Sequence, residues 1–364
     1  MMESARRELE RMRASSDAWR ELRYERAVDA DGDGNAMRRA KVLWALQYDR
    51  RPEDLPLVRW LARQEASCRH EAPFQGLSEE TELAGFLLAE YRQVEDVWLH
   101  WEIKVANFDT WGGYDLEHLF AAGARVTTAF VRGSGHTDRA AVLERLLDDK
   151  GRPCVSEERL AKWSQRKRSR FPTDPAAEDP LTWVERAHQI GDRELARQEL
   201  DRWAAGRERD KETLSRLRYY LAGLGAFAEA ARAQRETLAF AGDGRDSASA
   251  WQTLAGLERQ AGDHQAAWQA LRECRRALED VSGWSELGLG RMYVEELFLL
   301  AGSAEGELAG VVFAEADRQA RDMPGLSLVV LRSAAEAAGK IGDQTRAEHY
   351  RNLRDAEQQR IDTA

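Results

Sequence analysis

Cysteine is scarce in this chain of 364 residues: Cys68, Cys154 and Cys274 stand far apart and form no CxxC pair. That spacing excludes a disulfide framework and a thiolate zinc site, and it fits a reducing compartment. Lysine is nearly as rare, at seven of the 54 basic residues. The arginine excess fits a GC-rich genome and carries no functional message. Long apolar runs are missing as well. None approaches the roughly 18 residues that a membrane span needs, and residues 1–15 are charged, without the apolar core of a secretory signal. The chain is therefore expected in the cytoplasm, away from membranes. Basic charge is outweighed, with a formal net charge of −10. A nucleic-acid backbone needs a basic footprint, so general nucleic-acid binding is not expected.

Catalytic signatures are lacking too. The Gly288/Gly290 pair follows no strand signal and has no third glycine, so it fails as a phosphate loop. No GxSxG, HExxH or Cys/His pairing of known spacing occurs, and no cofactor or metal is expected. Strand signals are nearly absent. The best of them, Ala124 to Val131 (ARVTTAFV), has helical neighbours and nothing to pair with, so it reads as helix.

What is present is helical periodicity with material for a core: 43% of residues are hydrophobic and 12 are Trp, a residue that fills the space between helices. Four of the eight prolines fall at Pro153, Pro172, Pro175 and Pro180, and none follows until Pro324. Proline breaks helices, so 166–180 is expected to be a basic, proline-rich linker. The expected divisions are an N-terminal helix with a flexible acidic turn (1–35), a helical-repeat domain (36–165), the linker, and a helical array (181–364).

Within the array, Gly191-Asp192, Gly262-Asp263 and Gly342-Asp343 each end one helical run and open another, with Gly225 and Gly302 in equivalent places. Glycine closes a helix in the left-handed conformation and Asp caps the next. The second helices carry a small residue, a bulky one four later and a small one three later: Ala309, Phe313 and Ala316, or Ala267, Leu271 and Cys274. Trp251 and Leu254 fit the first helix. Ala196 and Leu200 match with an oversized Trp203, Ala230 is followed by a polar Gln234, and Ala347 by Arg351 and Arg354. This pattern resembles the tetratricopeptide repeat over about 181–359. The resemblance implies an all-α solenoid of antiparallel helix pairs that binds a protein or peptide along its concave face.

Upstream, a second repeat has an offset of 42: Arg51-Pro-Glu-Asp-Leu-Pro-Leu57 matches Gln93-Val-Glu-Asp-Val-Trp-Leu99, and Trp44 matches Phe86. A fainter third copy places Asp138 and Phe130. The expected pairs are Ala36–Tyr48 with Asp54–Ser67, Glu80–Arg92 with Glu95–Phe108, and Arg125–Arg132 with Asp138–Asp149, followed by a helix Ser156–Gln165. They resemble a HEAT-type stack.

The most unusual segment is Trp98–Phe120. There His100, Lys104 and Asn107 line one stripe of the expected helix, Asp109 and Trp111 lie at the Gly112-Gly113 break, and Asp115 and His118 share a face beyond it. These residues could form a polar pocket, with either histidine as a base, Lys104 as an anion contact and Trp111 as a wall. The plainer alternative is an inter-repeat loop pinned by aromatics. Asp29-Ala-Asp31-Gly-Asp33-Gly34 opens like a calcium loop, but its ninth and twelfth positions are Met37 and Ala40, so it reads as an acidic cap. The basic run Lys162–Arg170 reads as linker, with nucleic-acid contact as the alternative. The leading expectation is a bacterial adaptor or regulatory scaffold that contacts its partner through Arg186, Arg218, Tyr219, Gln252 and Arg291; the alternative is an enzyme or small-ligand site in 98–120 with the array as a regulatory arm.

Overall fold

The computed structural model describes residues 1–26, 32–71, 76–321 and 323–363. Among these the fold is all-α: nineteen α-helices joined by short turns and 3-10 segments, with no strand and two isolated bridges, Arg26 to Asp33 and Leu147 to Pro153. Among the described residues, no helix is long and apolar enough to cross a membrane. The chain divides into two compact units, Met1–Gly191 and Asp192–Ala364.

The first unit contains α1 (Met2–Ala14), α2 (Ala36–Tyr48), α3 (Leu55–Glu71), α4 (Glu79–Ala89), α5 (Val97–Lys104), α6 (Phe108–Gly113), α7 (Ala124–Gly133), α8 (Arg139–Leu146), α9 (Glu157–Arg170) and α10 (Pro180–Gln189). The ARVTTAFV run is indeed helical, as α7. One core gathers Leu9, Leu43, Trp44, Leu61, Leu87 and Ile103 from α1 to α5. A second gathers Val97, Trp101, Phe120, Val131, Val142 and Leu160 around α5, α7, α8 and α9. Each such fully buried side chain contributes about 1.5–3 kcal/mol.

The offset-42 repeat has a structural cause. Pro52–Asp54 and Val94–Asp96 are matching 3-10 turns that start α3 and α5, and each ends on a buried aspartate held by an arginine from an earlier helix. Arg13 meets Asp54 at 2.7 Å, and Arg59 meets Asp96 at 2.6 Å. Asp138, the third copy, is exposed. α7 packs on α8 as expected, but the pairing of the earlier helices differs from expectation. α2 packs most closely on α1, and α3 on α4 and α5, while α2 and α3 are not close neighbours. Periodicity marks which face of a helix is apolar but not which helix covers it.

The expected linker is also corrected. α9 runs through to Arg170, because Trp163 and Lys167 are buried along one side of it, and α10 belongs to the first unit. The prolines at 172, 175 and 180 shape only the short connection and the start of α10, where Pro180 occupies the first turn.

The second unit contains α11 (Arg193–Ala204), α12 (Lys211–Gly223), α13 (Phe227–Thr237), α14 (Arg245–Gln260), α15 (His264–Glu279), α16 (Gly288–Ser303), α17 (Gly306–Arg321), α18 (Leu328–Lys340) and α19 (Gln344–Asp362). α12/α13, α14/α15, α16/α17 and α18/α19 pack as pairs. Successive pairs touch through α13 with α14, α14 with α16, and α16 with α18. Gly225, Gly262 and Gly342 take the left-handed conformation at the turns, with φ of 78°, 84° and 83°. Asp263 and Asp343 then cap α15 and α19 by accepting from Ala266 N and Arg346 N. Gly302 departs from this scheme. It lies inside α16, and the left-handed residue at that turn is Gly306 (φ 60°), the first residue of α17. Ala230, Ala267, Ala309 and Ala347 are all buried, each near the start of a second helix. Between pairs, Arg235 on α13 meets Glu258 on α14, and Arg259 on α14 meets Glu296 on α16.

Candidate functional site

The residues singled out between 98 and 120 divide into an interior group and an exterior group. The expected helix Glu95–Phe108 stops at Lys104, because Asn107 caps α6 instead: its Oδ1 accepts from Thr110 N at 2.8 Å, and Thr110 Oγ1 accepts from Asn107 N at 2.9 Å. Asn107 Nδ2 also donates to Arg69 O at 3.0 Å. Lys104, itself buried, donates to Trp111 O and Tyr114 O at 2.5 Å each, closing the C-terminal end of α6. Burial, and then the nearby Arg145, lower the pKa of Lys104. Trp111 is partly exposed, with the Arg145 guanidinium 4.7 Å over its ring, and Asp109 is exposed.

His100 and His118 lie inside, converging on Tyr114, which the sequence reading had not singled out. His100 Nδ1 and the Tyr114 hydroxyl are 2.8 Å apart. Tyr114 stacks on His118 at 4.1 Å, and Trp163 stands edge-on to His118 at 4.8 Å. His118 Nδ1 donates to Asp115 O at 3.0 Å, which leaves Nε2 as the lone-pair nitrogen. Neither Nε2 has a hydrogen-bond partner among the described residues. Burial brings the His100 pKa down to about 3 and holds His118 well below its ordinary range, so both rings are neutral near pH 7. Asp115 accepts from Trp163 Nε1 at 2.9 Å and pairs with Lys167 at 2.9 Å. Burial pushes its carboxyl up, but these partners outweigh it and leave the pKa lowered. The histidines are fully buried, and they line neither the cavity of about 230 Å³ between α4 and α9 nor that of about 570 Å³ beside α19. The cluster packs the 98–120 segment against Gly85 of α4 and Trp163 of α9.

Four of the five charges of the basic run are paired. Lys162 pairs with Glu158, Lys167 with Glu82 and Asp115, Arg168 with Glu90, and Arg170 with Glu82. Of the calcium-like loop, Asp29 and Asp31 lie outside the described residues. Asp33 is committed, accepting from Glu25 N, Asn35 N and the Arg39 guanidinium.

Among the expected partner contacts, Arg186 is buried rather than surface-borne. Its guanidinium donates to Tyr48 Oη at 2.6 Å and Gln47 Oε1 at 2.7 Å, and it lies within 6 Å of the rings of Trp44, Tyr48 and Trp183. Arg218, Gln252 and Arg291 are half-buried and Tyr219 is exposed, on α12, α14 and α16. Arg291 donates to Glu286 O at 3.2 Å, and Arg218 to Gln234 Oε1 at 3.1 Å. Gln234, a misfit to the repeat pattern, is a buried amide whose Nε2 donates to Ala250 O at 2.8 Å. That misfit was the available signal for a polar link here. Compared with known proteins, the chain matches no protein-family model and no curated protein.

Proposed function

We propose that this protein is a partner-binding adaptor of the cytoplasm whose second unit is a tetratricopeptide-like array. A peptide segment would be taken along the face built by the first helices, α12, α14, α16 and α18. The observation that carries this reading is the recurrence of one packing scheme: four helix pairs, each touching the next, with an alanine buried near the start of every second helix. Small residues at those places bring the helices of a pair together, and the outward side chains of the first helices are left to meet a ligand. Tyr219 on α12, Met292 on α16 and Val329 on α18 are such side chains, exposed by 68%, 50% and 46%. Exposed aromatic and methionine side chains are favoured anchors at protein interfaces. Three unpaired thiols, two of them buried, suit a reducing compartment.

The test is a random-peptide display selection against the full chain. Enriched peptides are expected to bind wild type and to lose about tenfold in affinity on Tyr219→Ala or Met292→Ala, the loss typical of an interface anchor. Phe108→Ala, which removes a still more exposed aromatic in the first unit, should leave binding unchanged. A selection that enriches no peptide contradicts the reading. So does binding that depends on Phe108 and not on Tyr219 or Met292.

A further inference from the structure

The cavity of about 230 Å³ in the first unit lies between the end of α4 and the first half of α9. Its floor is apolar, built from the buried Phe120, Leu160 and Trp163. Three charged side chains line it: Glu90, Arg92 and Glu157. Glu90 is taken up by Arg50 and Arg168. The other two are left over. The Arg92 guanidinium has no hydrogen-bond or ion-pair partner among the described residues. Glu157 spends Oε1 on Ala124 N at 2.9 Å, and no cation among the described residues pairs with it. Opposite charges thus line one cavity without closing on each other.

Arg92 is also set apart by its backbone. Its φ is 52°, and the twelve other described residues with positive φ are all glycines. Arg92 N donates to Ala89 O at 3.0 Å just past the end of α4, the place where glycine ordinarily closes a helix. Glycine would make this turn without strain, whereas a side chain in the left-handed region is strained. Such outliers concentrate where a side chain meets a ligand.

We propose that this cavity binds a small zwitterion, a free amino acid, whose carboxylate meets the Arg92 guanidinium and whose ammonium meets Glu157 Oε2. The planar fork of arginine fits a carboxylate in a two-bond geometry. A simple anion would satisfy Arg92 but face the Glu157 carboxylate, and like charges repel. An apolar floor with few polar groups is the usual build of a small-molecule site. The volume falls below the roughly 300–1,000 Å³ of sites for drug-sized ligands, which restricts the occupant to few heavy atoms. The site lies wholly in the first unit and is independent of peptide binding by the second.

Isothermal titration calorimetry of the full chain with each common L-amino acid tests the proposal. At least one is expected to bind, and its methyl ester and its N-acetyl derivative should each bind at least about tenfold more weakly, the scale of a charge-assisted bond. Arg92→Gly removes the cation and the strain together. It is expected to unfold at higher urea than wild type and yet to bind the amino acid at least about tenfold more weakly, a loss that unfolding cannot explain. Glu157→Gln keeps an oxygen for Ala124 N, and it should weaken the free amino acid while leaving its N-acetyl derivative unaffected. The two derivatives are tested on unaltered protein, so they read both contacts even if a variant folds poorly. The proposal is overturned if no amino acid binds, if the ester or the N-acetyl derivative binds as well as the free amino acid, or if Arg92→Gly binds like wild type.

Discussion

Gly85 faces the ring of Tyr114 so closely that any side chain in its place would collide with the phenol hydroxyl. A glycine inside α4 gives up about 1 kcal/mol of helix propensity, and here it makes room for the aromatic around which His100 and His118 are arranged. Gly85→Ala is therefore expected to destabilise the first unit by about 1–3 kcal/mol, the usual penalty for overpacking a close-packed core. Urea denaturation followed at Trp fluorescence measures this, and a neutral or stabilising alanine would refute the packing described. The histidines carry a pH signature. Their folded pKa values lie below the unfolded value of 6.5, so the unfolded chain binds more protons as pH falls below 6.5. Their contribution is fully present above that pH and declines toward about pH 3, where His100 titrates in the fold. Glu79 works in the opposite sense. Burial raises its pKa to about 7 against the pull of Arg186, so it favours the folded state as pH falls from 7 toward 4.5. Replacing one histidine isolates one slope: His118→Gln should flatten the decline of unfolding free energy between pH 6.5 and 5 by about 1 kcal/mol per pH unit. An unchanged slope would mean that His118 is not held neutral in the fold.

At the scale of elements, α10 is attached to α2 by one arginine. Arg186 sits among Trp44, Tyr48 and Trp183, and Glu178, which accepts from Gln47 at 2.8 Å, is also buried. Removing the cation would strand that carboxylate. Arg186→Ala should destabilise the first unit by about 3–5 kcal/mol, and adding Glu178→Gln should restore part of the loss. Equal stability of the two variants would contradict a charge-based attachment. This hub also marks a limit of sequence reading. An arginine on an amphipathic helix reads as surface, and nothing local reveals that Tyr48 lies 138 residues away. The Gly-Asp turns at 262 and 342 were legible because a left-handed glycine and a capping aspartate are local chemistry. The Gly302 position was not, since moving the left-handed glycine four residues on, to Gly306, leaves the helical pattern on either side intact. Likewise, the acids of the offset-42 repeat were visible, but the arginines that hold them come from other helices. The 98–120 residues stand out in the sequence by composition. Their sealing by Tyr114, Trp163 and Gly85 depends on tertiary packing and could not be read from spacing.

For the molecule as a whole, each unit has its own role in this account. The first unit commits its unusual polar residues to internal locks: the histidine pair, the Arg186 hub and the buried Lys167 of the basic run on α9. The second unit keeps exposed apolar side chains on its first helices. The most direct test of that division is hydrogen–deuterium exchange on the full chain, with and without a display-selected peptide at saturating concentration. The account predicts slower amide exchange in α12, α14 and α16 on binding and unchanged exchange across 98–120. Protection confined to 98–120, with the second unit unaffected, would contradict it.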